Sequence, residues 1–189
     1  MRIIGGKFKG RRFDPPAGKW PTRPTTDFAR EGLFNILENI LDFESLRALD
    51  LFSGAGSHSY ELISRGALEA TCVDRFGPAL AFVKQVAQTL GVEAQVHTVK
   101  ADVLRFIAAC REPFDYVFAD PPFDMPGIES LPDQVLESSV LRPGAWFVLE
   151  HSSRYRFDTH PRFQRKREYG QICFSFFRVE EPSHALQQV

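Results

Sequence analysis

Residues 47–56 read Arg47-Ala48-Leu49-Asp50-Leu51-Phe52-Ser53-Gly54-Ala55-Gly56. Arg47–Phe52 is a short apolar run interrupted by one acid, the pattern of a buried strand. Two glycines follow, and Ser57–Arg65 continues as a helix that stops at Gly66. A strand leading through such a turn into a helix sets the turn beyond the carboxyl end of the strand, where open α/β sheets bind ligands. Glycine there lets the backbone bend sharply and approach a ligand closely.

Downstream the same unit repeats. Ala70–Val73 reads as a second strand and Pro78–Leu90 as a helix ending at Gly91. Ala94–Val99 is a third strand before a short helix over Val103–Cys110, and Phe114–Ala119 is a fourth. A helix over Ile128–Ser139 precedes a turn at Arg142-Pro143-Gly144 and a fifth strand, Ala145–Glu150. This alternation predicts right-handed crossovers and an α/β fold with a doubly wound, mostly parallel sheet. Phe163–Tyr169 and Ile172–Val179 flank a tight turn at Gly170, which predicts a C-terminal antiparallel hairpin.

Upstream, a helix is expected to start at Thr25, Thr26 or Asp27, just after Pro24, with Phe28, Leu33, Phe34, Leu37 and Leu41 recurring at helical spacing. Residues 1–24 stand apart as a basic arm, and residues 25–189 form the main domain. Met1–Ile4 and Phe8–Phe13 are spaced to pair as a hairpin around glycines. Residues 1–30 carry eight basic side chains against two acidic ones, although the whole chain has a net charge of −1. Such asymmetry points to an anionic partner met by Arg2, Lys7, Lys9, Arg11 and Arg12. Removing residues 1–20 is expected to spare the sheet, whose strands begin near Arg47.

With 189 residues the chain is long enough for one real core, which its 18 Phe would largely fill. Cys72, Cys110 and Cys173 form no CxxC pair, so neither a disulfide framework nor a zinc site is expected, in keeping with a reducing cytoplasm. Residues 1–20 lack the apolar core of a secretory signal, and no run is long enough to span a membrane. The expectation is a cytoplasmic monomer without a metal.

Asp74 lies 18 residues after Gly56, at the end of the second strand. A carboxylate there can accept hydrogen bonds from two ribose hydroxyls, so Gly54, Gly56 and Asp74 together predict a nucleoside-containing ligand. A dinucleotide fingerprint needs a third glycine where this chain has Ser59. A nucleoside with an amino-acid tail, as in S-adenosylmethionine, does not need that pyrophosphate cradle, and Asp50 is placed to serve its ammonium group. Asp102, after the third strand, is placed either to accept from an adenine amine or to cap the helix at Val103.

Asp120-Pro121-Pro122-Phe123 ends the fourth strand. Two prolines remove two N–H donors and stiffen the chain. The Asp120 carboxylate and the Pro121 carbonyl remain as outward acceptors. An exocyclic amine on a base is a poor nucleophile because its lone pair is delocalised into the ring. Acceptors on both of its N–H bonds favour the pyramidal form that reacts, which is stabilisation of the transition state. Phe123 offers a face on which the base can stack. His58 and His151 read as packing or solvent-facing residues rather than catalytic bases, while Arg162, Arg165, Lys166 and Arg167 suit either phosphate contact or a charged edge strand.

Four segments together resemble the RsmD family of bacterial 16S ribosomal RNA guanine-N2 methyltransferases. They are Met1-Arg2-Ile3-Ile4-Gly5-Gly6-Lys7-Phe8-Lys9-Gly10-Arg11, Thr22-Arg23-Pro24-Thr25-Thr26-Asp27 with Arg30-Glu31 and Leu33-Phe34-Asn35 after it, and the two site motifs Asp50–Gly56 and Asp120–Phe123. The resemblance covers roughly residues 1–180. It implies a Rossmann-like class I methyltransferase sheet and S-adenosylmethionine as cofactor. It further implies ribosomal RNA or the assembling small subunit as partner, and Arg23, Thr25 and Thr26 at the cofactor or RNA entrance. Members of the family often carry another glycine where this chain has Ser59. Two other readings fit parts of the pattern: a DNA adenine-N6 methyltransferase, and a non-catalytic RNA-binding protein of the same fold.

Overall fold

A computed structural model of the protein describes residues 1–16 and 25–181. Its sheet contains β1 (Arg47–Leu51), β2 (Glu69–Asp74), β3 (Val96–Lys100), β4 (Phe114–Ala119), β5 (Leu141–Ser152), β6 (Phe163–Tyr169) and β7 (Ile172–Arg178). The spatial order is β3-β2-β1-β4-β5-β7-β6. β1 to β5 pair in parallel, whereas β7 runs antiparallel to both β5 and β6. The strand order reverses between β1 and β4, so their carboxyl ends open a crevice at that switch point.

Helices α1 (Asp27–Leu37), α2 (Ser57–Ser64) and α3 (Gly77–Leu90) contribute to one core layer, and α4 (Val103–Ala109) and α5 (Leu131–Leu136) to the other. Side chains alternate across the sheet. Tyr116 and Phe118 of β4 pack with Phe34, Tyr60 and Val83 in the first layer. Val117 and Ala119 pack with Val103, Ile107 and Val135 in the second. Among the described residues no helix is long and apolar enough to cross a membrane.

Three local expectations are corrected. Phe28 does not join the core face of α1 but is 73% exposed, with its ring edge-on to Tyr169 at 5.6 Å. The turn at Arg142-Pro143-Gly144 lies inside β5, because Leu141 already pairs with Phe114 and a register shift absorbs the proline and glycine. The helix expected from Ile128 begins at Leu131, after a 3-10 turn over Ile128–Ser130. Pro132 suits the first turn of a helix, where its missing N–H is not needed.

The N-terminal pairing is present as one antiparallel bridge, Arg2 with Arg12, flanking a 3-10 turn at Gly6–Phe8. This segment is docked on the main body. Ile3 is buried, and the N–H groups of Ile4 and Gly5 donate to Glu61 in α2 at 2.8 and 2.7 Å. Phe8 N–H donates to Ser64 Oγ at 3.0 Å, and the Arg30 guanidinium donates to the carbonyl of Arg2.

Candidate active site

The loop after β1 departs from ordinary backbone geometry at three positions: Phe52 (φ 60°), Gly54 (φ 50°) and Gly56 (φ 75°). A bulky residue in the left-handed region is strained, and such strain concentrates at functional sites. At Gly56 a Cβ would stand 2.9 Å from Val83 Cγ2, so glycine also allows α3 to pack close. Asp74 fastens this loop: Oδ2 accepts the N–H of Gly54 at 2.9 Å and Oδ1 that of Phe76 at 2.8 Å. Asp102 is exposed and caps α4, its Oδ1 accepting Arg105 N–H at 3.1 Å.

Ser59, which stands where a dinucleotide fingerprint has its third glycine, holds the nearest acid in place. Its Oγ donates to Asp50 Oδ2 at 2.7 Å and accepts from Cys72 Sγ at 3.1 Å. Asp50 is only 1% exposed, and burial pushes its carboxyl up to about 7 despite the Ser59 hydrogen bonds.

Asp50 pairs with Phe118, which pairs with Val148. Two residues further along their strands stand Asp120 and Glu150, so the pleat turns all three acids toward the α1–α3 face. They line one pocket with Thr25, Arg30, Ser53 and His58. Glu150 is 2% exposed, and Thr25 Oγ1 donates to its Oε2 at 2.8 Å. Burial raises Glu150 to about 7. Asp120 is held well above the usual carboxylate range by burial and then by the charges of Glu150 and Asp50. Glu150 is absent from the residues that the sequence singles out. Its signal is an acid at the carboxyl end of the strand next to that of Asp120.

The Asp-Pro-Pro-Phe segment is clamped. Asp120 N–H donates to the carbonyl of Leu51 at 3.3 Å, and the N–H of Met125 to that of Pro122 at 2.9 Å. The carbonyl of Phe123 accepts from the Arg154 guanidinium and from the Tyr155 hydroxyl at 3.3 Å. Pro121 is buried and Phe123 half-buried.

The histidines are structural. His58 stacks on Phe118 with centroids 3.8 Å apart and meets Tyr116 Oη at 3.1 Å, and burial keeps it neutral. His151 is buried between the Ser152 carbonyl and Ser175 Oγ. Among the charged residues of the edge hairpin, Arg162 donates to the Leu136 carbonyl at 2.6 Å and Lys166 pairs with Glu168 at 2.6 Å.

Of the basic arm, Arg2, Lys7, Lys9, Arg11 and Arg12 are exposed, and Arg2 pairs with Asp27 at 3.1 Å. Thr26 Oγ1 accepts the N–H of Ala29 at 3.2 Å as the cap of α1. Arg23 lies outside the described residues.

The donor set discriminates between ligands. Buried acids beside a glycine loop suit a ligand carrying sulfonium and ammonium charge, and they repel a pyrophosphate. The residues present fit S-adenosylmethionine: the Asp74 carboxylate stands against Gly54 of the loop, and the Asp50 carboxylate lines the pocket beside Phe52 and Ser53. Among the described residues no cluster of three or more His, Cys, Asp or Glu could hold a metal ion.

The family described as Conserved hypothetical protein 95 matches residues 1–178. Ribosomal RNA small subunit methyltransferase D of Escherichia coli (strain K12) is 30% identical over 185 residues, which cover 95% of this chain and 90% of that protein. The solved structure of the putative methyltransferase yhhF from Escherichia coli matches with a TM-score of 0.81 at 27% identity, covering 96% of this chain and 99% of that one. An RNA methyltransferase from Salinibacter ruber, in complex with S-adenosyl-L-homocysteine, shares the fold with a TM-score of 0.66 at 17% identity over 85% of this chain and 95% of that one. The chain thus has the class I methyltransferase fold and belongs to the family described as Conserved hypothetical protein 95, which is the RsmD family its motifs resemble.

Proposed function

We propose that this protein transfers a methyl group from S-adenosylmethionine to the exocyclic N2 of a guanine in small-subunit ribosomal RNA, in the cytoplasm. The observation that carries the reading is the juxtaposition of the Asp120-Pro121 acceptors with the Gly54–Gly56 loop at one switch point. The name of the Escherichia coli relative supports the RNA, and the ligand of the Salinibacter ruber structure supports the cofactor.

S-adenosylmethionine, when bound, supplies an electrophilic methyl on a positively charged sulfur. Gly54, Gly56 and Asp74 hold the nucleoside, and Asp50 faces the cationic end. Asp120 and the carbonyl of Pro121 accept the two N–H bonds of the amine and turn its lone pair toward the methyl carbon. That sulfur would give up the methyl to the amine nitrogen and keep the electron pair of its C–S bond. Asp120, already poised to hold a proton by its buried surroundings, takes the proton that the amine loses and passes it to solvent. Phe123 supports the base from the clamped loop. The exposed basic arm meets RNA phosphates.

Mass spectrometry of ribosomal RNA from cells lacking the protein tests this reading. One N2-methylguanosine should vanish from the small-subunit RNA, return with the wild-type gene, and stay absent with Asp120→Ala. A methylation pattern unchanged by the deletion refutes it.

A further inference from the structure

We propose that Glu150 is the residue that selects guanine, by accepting the ring N1–H next to the amine that is methylated. This inference rests on the reaction proposed above and adds the group that reads the base.

Three observations support it. Glu150 is placed beside Asp120 by strand register, since Ala119 pairs with Leu149 and the two acids follow directly. It is buried, and Thr25 donates to its Oε2. The pocket wall also contains a donor without a mate: the buried Nε of Arg30, a residue 5% exposed, has no hydrogen-bond partner among the described residues. A pocket built with spare polar groups on its wall is shaped for a polar guest rather than for packing.

The chemistry of the bases then decides which guest. Guanine presents three adjacent N–H bonds, one on N1 and two on N2. The Glu150 and Asp120 carboxylates line the pocket, and the Pro121 carbonyl, next in the chain after Asp120, is the third acceptor of the reaction proposed above. Adenine and cytosine place a bare ring nitrogen next to their exocyclic amines, and its lone pair would face the Glu150 carboxylate. Uracil has a ring N–H but no exocyclic amine. A site with buried acceptors left unpaired rejects the wrong ligand strongly. Thr25 serves as a positioning residue, since it fixes one oxygen of Glu150 and leaves the other for the base.

The test replaces the N1–H without touching the amine. Small subunits are assembled with ribosomal RNA carrying, at the methylated position found by mass spectrometry, either guanine or 2-aminopurine, which keeps the 2-amino group and has no hydrogen on N1. Wild-type enzyme should favour guanine at least tenfold in kcat/KM. Glu150→Gln, whose amide can donate to a bare N1, should shrink or invert that ratio, and Thr25→Val should narrow it less. Binding of both RNAs in the presence of S-adenosylhomocysteine, read from 2-aminopurine fluorescence and competition with guanine RNA, should show the same shift without turnover. Enzyme that methylates guanine yet treats the two bases alike overturns the role of Glu150 and leaves the reaction standing. So does Glu150→Gln with an unchanged ratio. Enzyme that methylates no guanine refutes the reaction and this assignment with it.

Discussion

Glu61, fully buried in α2, accepts the backbone N–H of Ile4 at 2.8 Å from 57 residues away in the chain. The same carboxylate takes the N–H of Gly5 and pairs with Arg65 at 2.8 Å. A buried charge is tolerated only when it is bonded in this way. The basic arm is therefore bolted to the helix that follows the glycine loop. Deleting residues 1–20 would strip Glu61 of two donors and remove Ile3 from the core, so the sheet would not be spared the consequences. Glu61→Ala should lower stability by about 2–4 kcal/mol, because it leaves two amides without their acceptor. It should also expose Lys7, Lys9 and Arg11 to trypsin well before global unfolding. Denaturant titration and limited proteolysis check both effects; wild-type protection of the arm in the mutant would contradict the account.

Because deletion confounds charge with folding, the RNA role of the arm is better tested on its surface. Lys7, Lys9, Arg11 and Arg12 are exposed, and no salt bridge joins them to an acid among the described residues. Changing all four to Ala should leave the melting temperature within a few degrees while RNA affinity falls. On single-stranded RNA the log–log salt slope should flatten by about 0.7 for each phosphate that the arm no longer neutralises. An unchanged affinity and slope would make the arm a solvated face.

Much of this fold is legible in the sequence because periodicity and punctuation agree in the β1–β4 half. Gly66 and Gly91 follow the ends of α2 and α3, Asp102 caps the start of α4, and the apolar run Phe114–Ala119 has the bounds of the observed strand. The differences lie where tertiary contacts outweigh local rules. Phe28 fits the helical period of α1, yet Tyr169, from a distant hairpin, is what it meets. Gly32 looks like a weak point in a helix, but a Cβ there would stand 2.2 Å from Tyr169 Oη. Of the site, the glycine loop and Asp120 are visible as motifs. Glu150 is not, because an acid near a strand end carries no signature until the register sets it beside Asp120. Ser59 looks like a defect in the loop until the fold gives it the Asp50 carboxylate.

Asp74 has two duties that mutation should separate. Its carboxylate already fastens Gly54 and Phe76, and in the proposed complex it also receives the ribose hydroxyls. Asp74→Ala should weaken S-adenosylmethionine binding by roughly 1–3 kcal/mol through the absence of charge-assisted hydrogen bonds. Asp74→Asn keeps an acceptor oxygen and should recover part of that difference. Calorimetric titration of the three proteins measures it. Equal affinity in Asp74→Ala and wild type would remove Asp74 from the cofactor site.

The contribution of the buried acids to stability should fall, and activity rise, as pH passes through neutrality. Glu150 and Asp50 are raised to about 7, and Asp120 is held well above the usual carboxylate range, all first by burial. An acid whose folded pKa lies above its unfolded value holds its proton longer in the folded state. Stability therefore falls as pH climbs from the unfolded pKa, near 4.5 for Glu150, through the folded one near 7. The Glu150 shift alone corresponds to about 3 kcal/mol. His58 and His151, whose pKa values are lowered by burial, push the other way, so the total curve mixes signs. The difference between wild type and Glu150→Gln isolates one group. It should be near zero at pH 4 and grow in favour of the mutant, by up to about 3 kcal/mol, by pH 8. Methyl transfer by wild-type enzyme should rise over the same interval, because Glu150 accepts its hydrogen bond as a carboxylate. Denaturant melts from pH 4 to 8, alongside single-turnover rates on small subunits from cells lacking the protein, measure the two trends. If the wild-type-minus-mutant difference stays flat across that range, Glu150 ionises in the folded protein as it does in water, and the buried-acid account of the pocket fails.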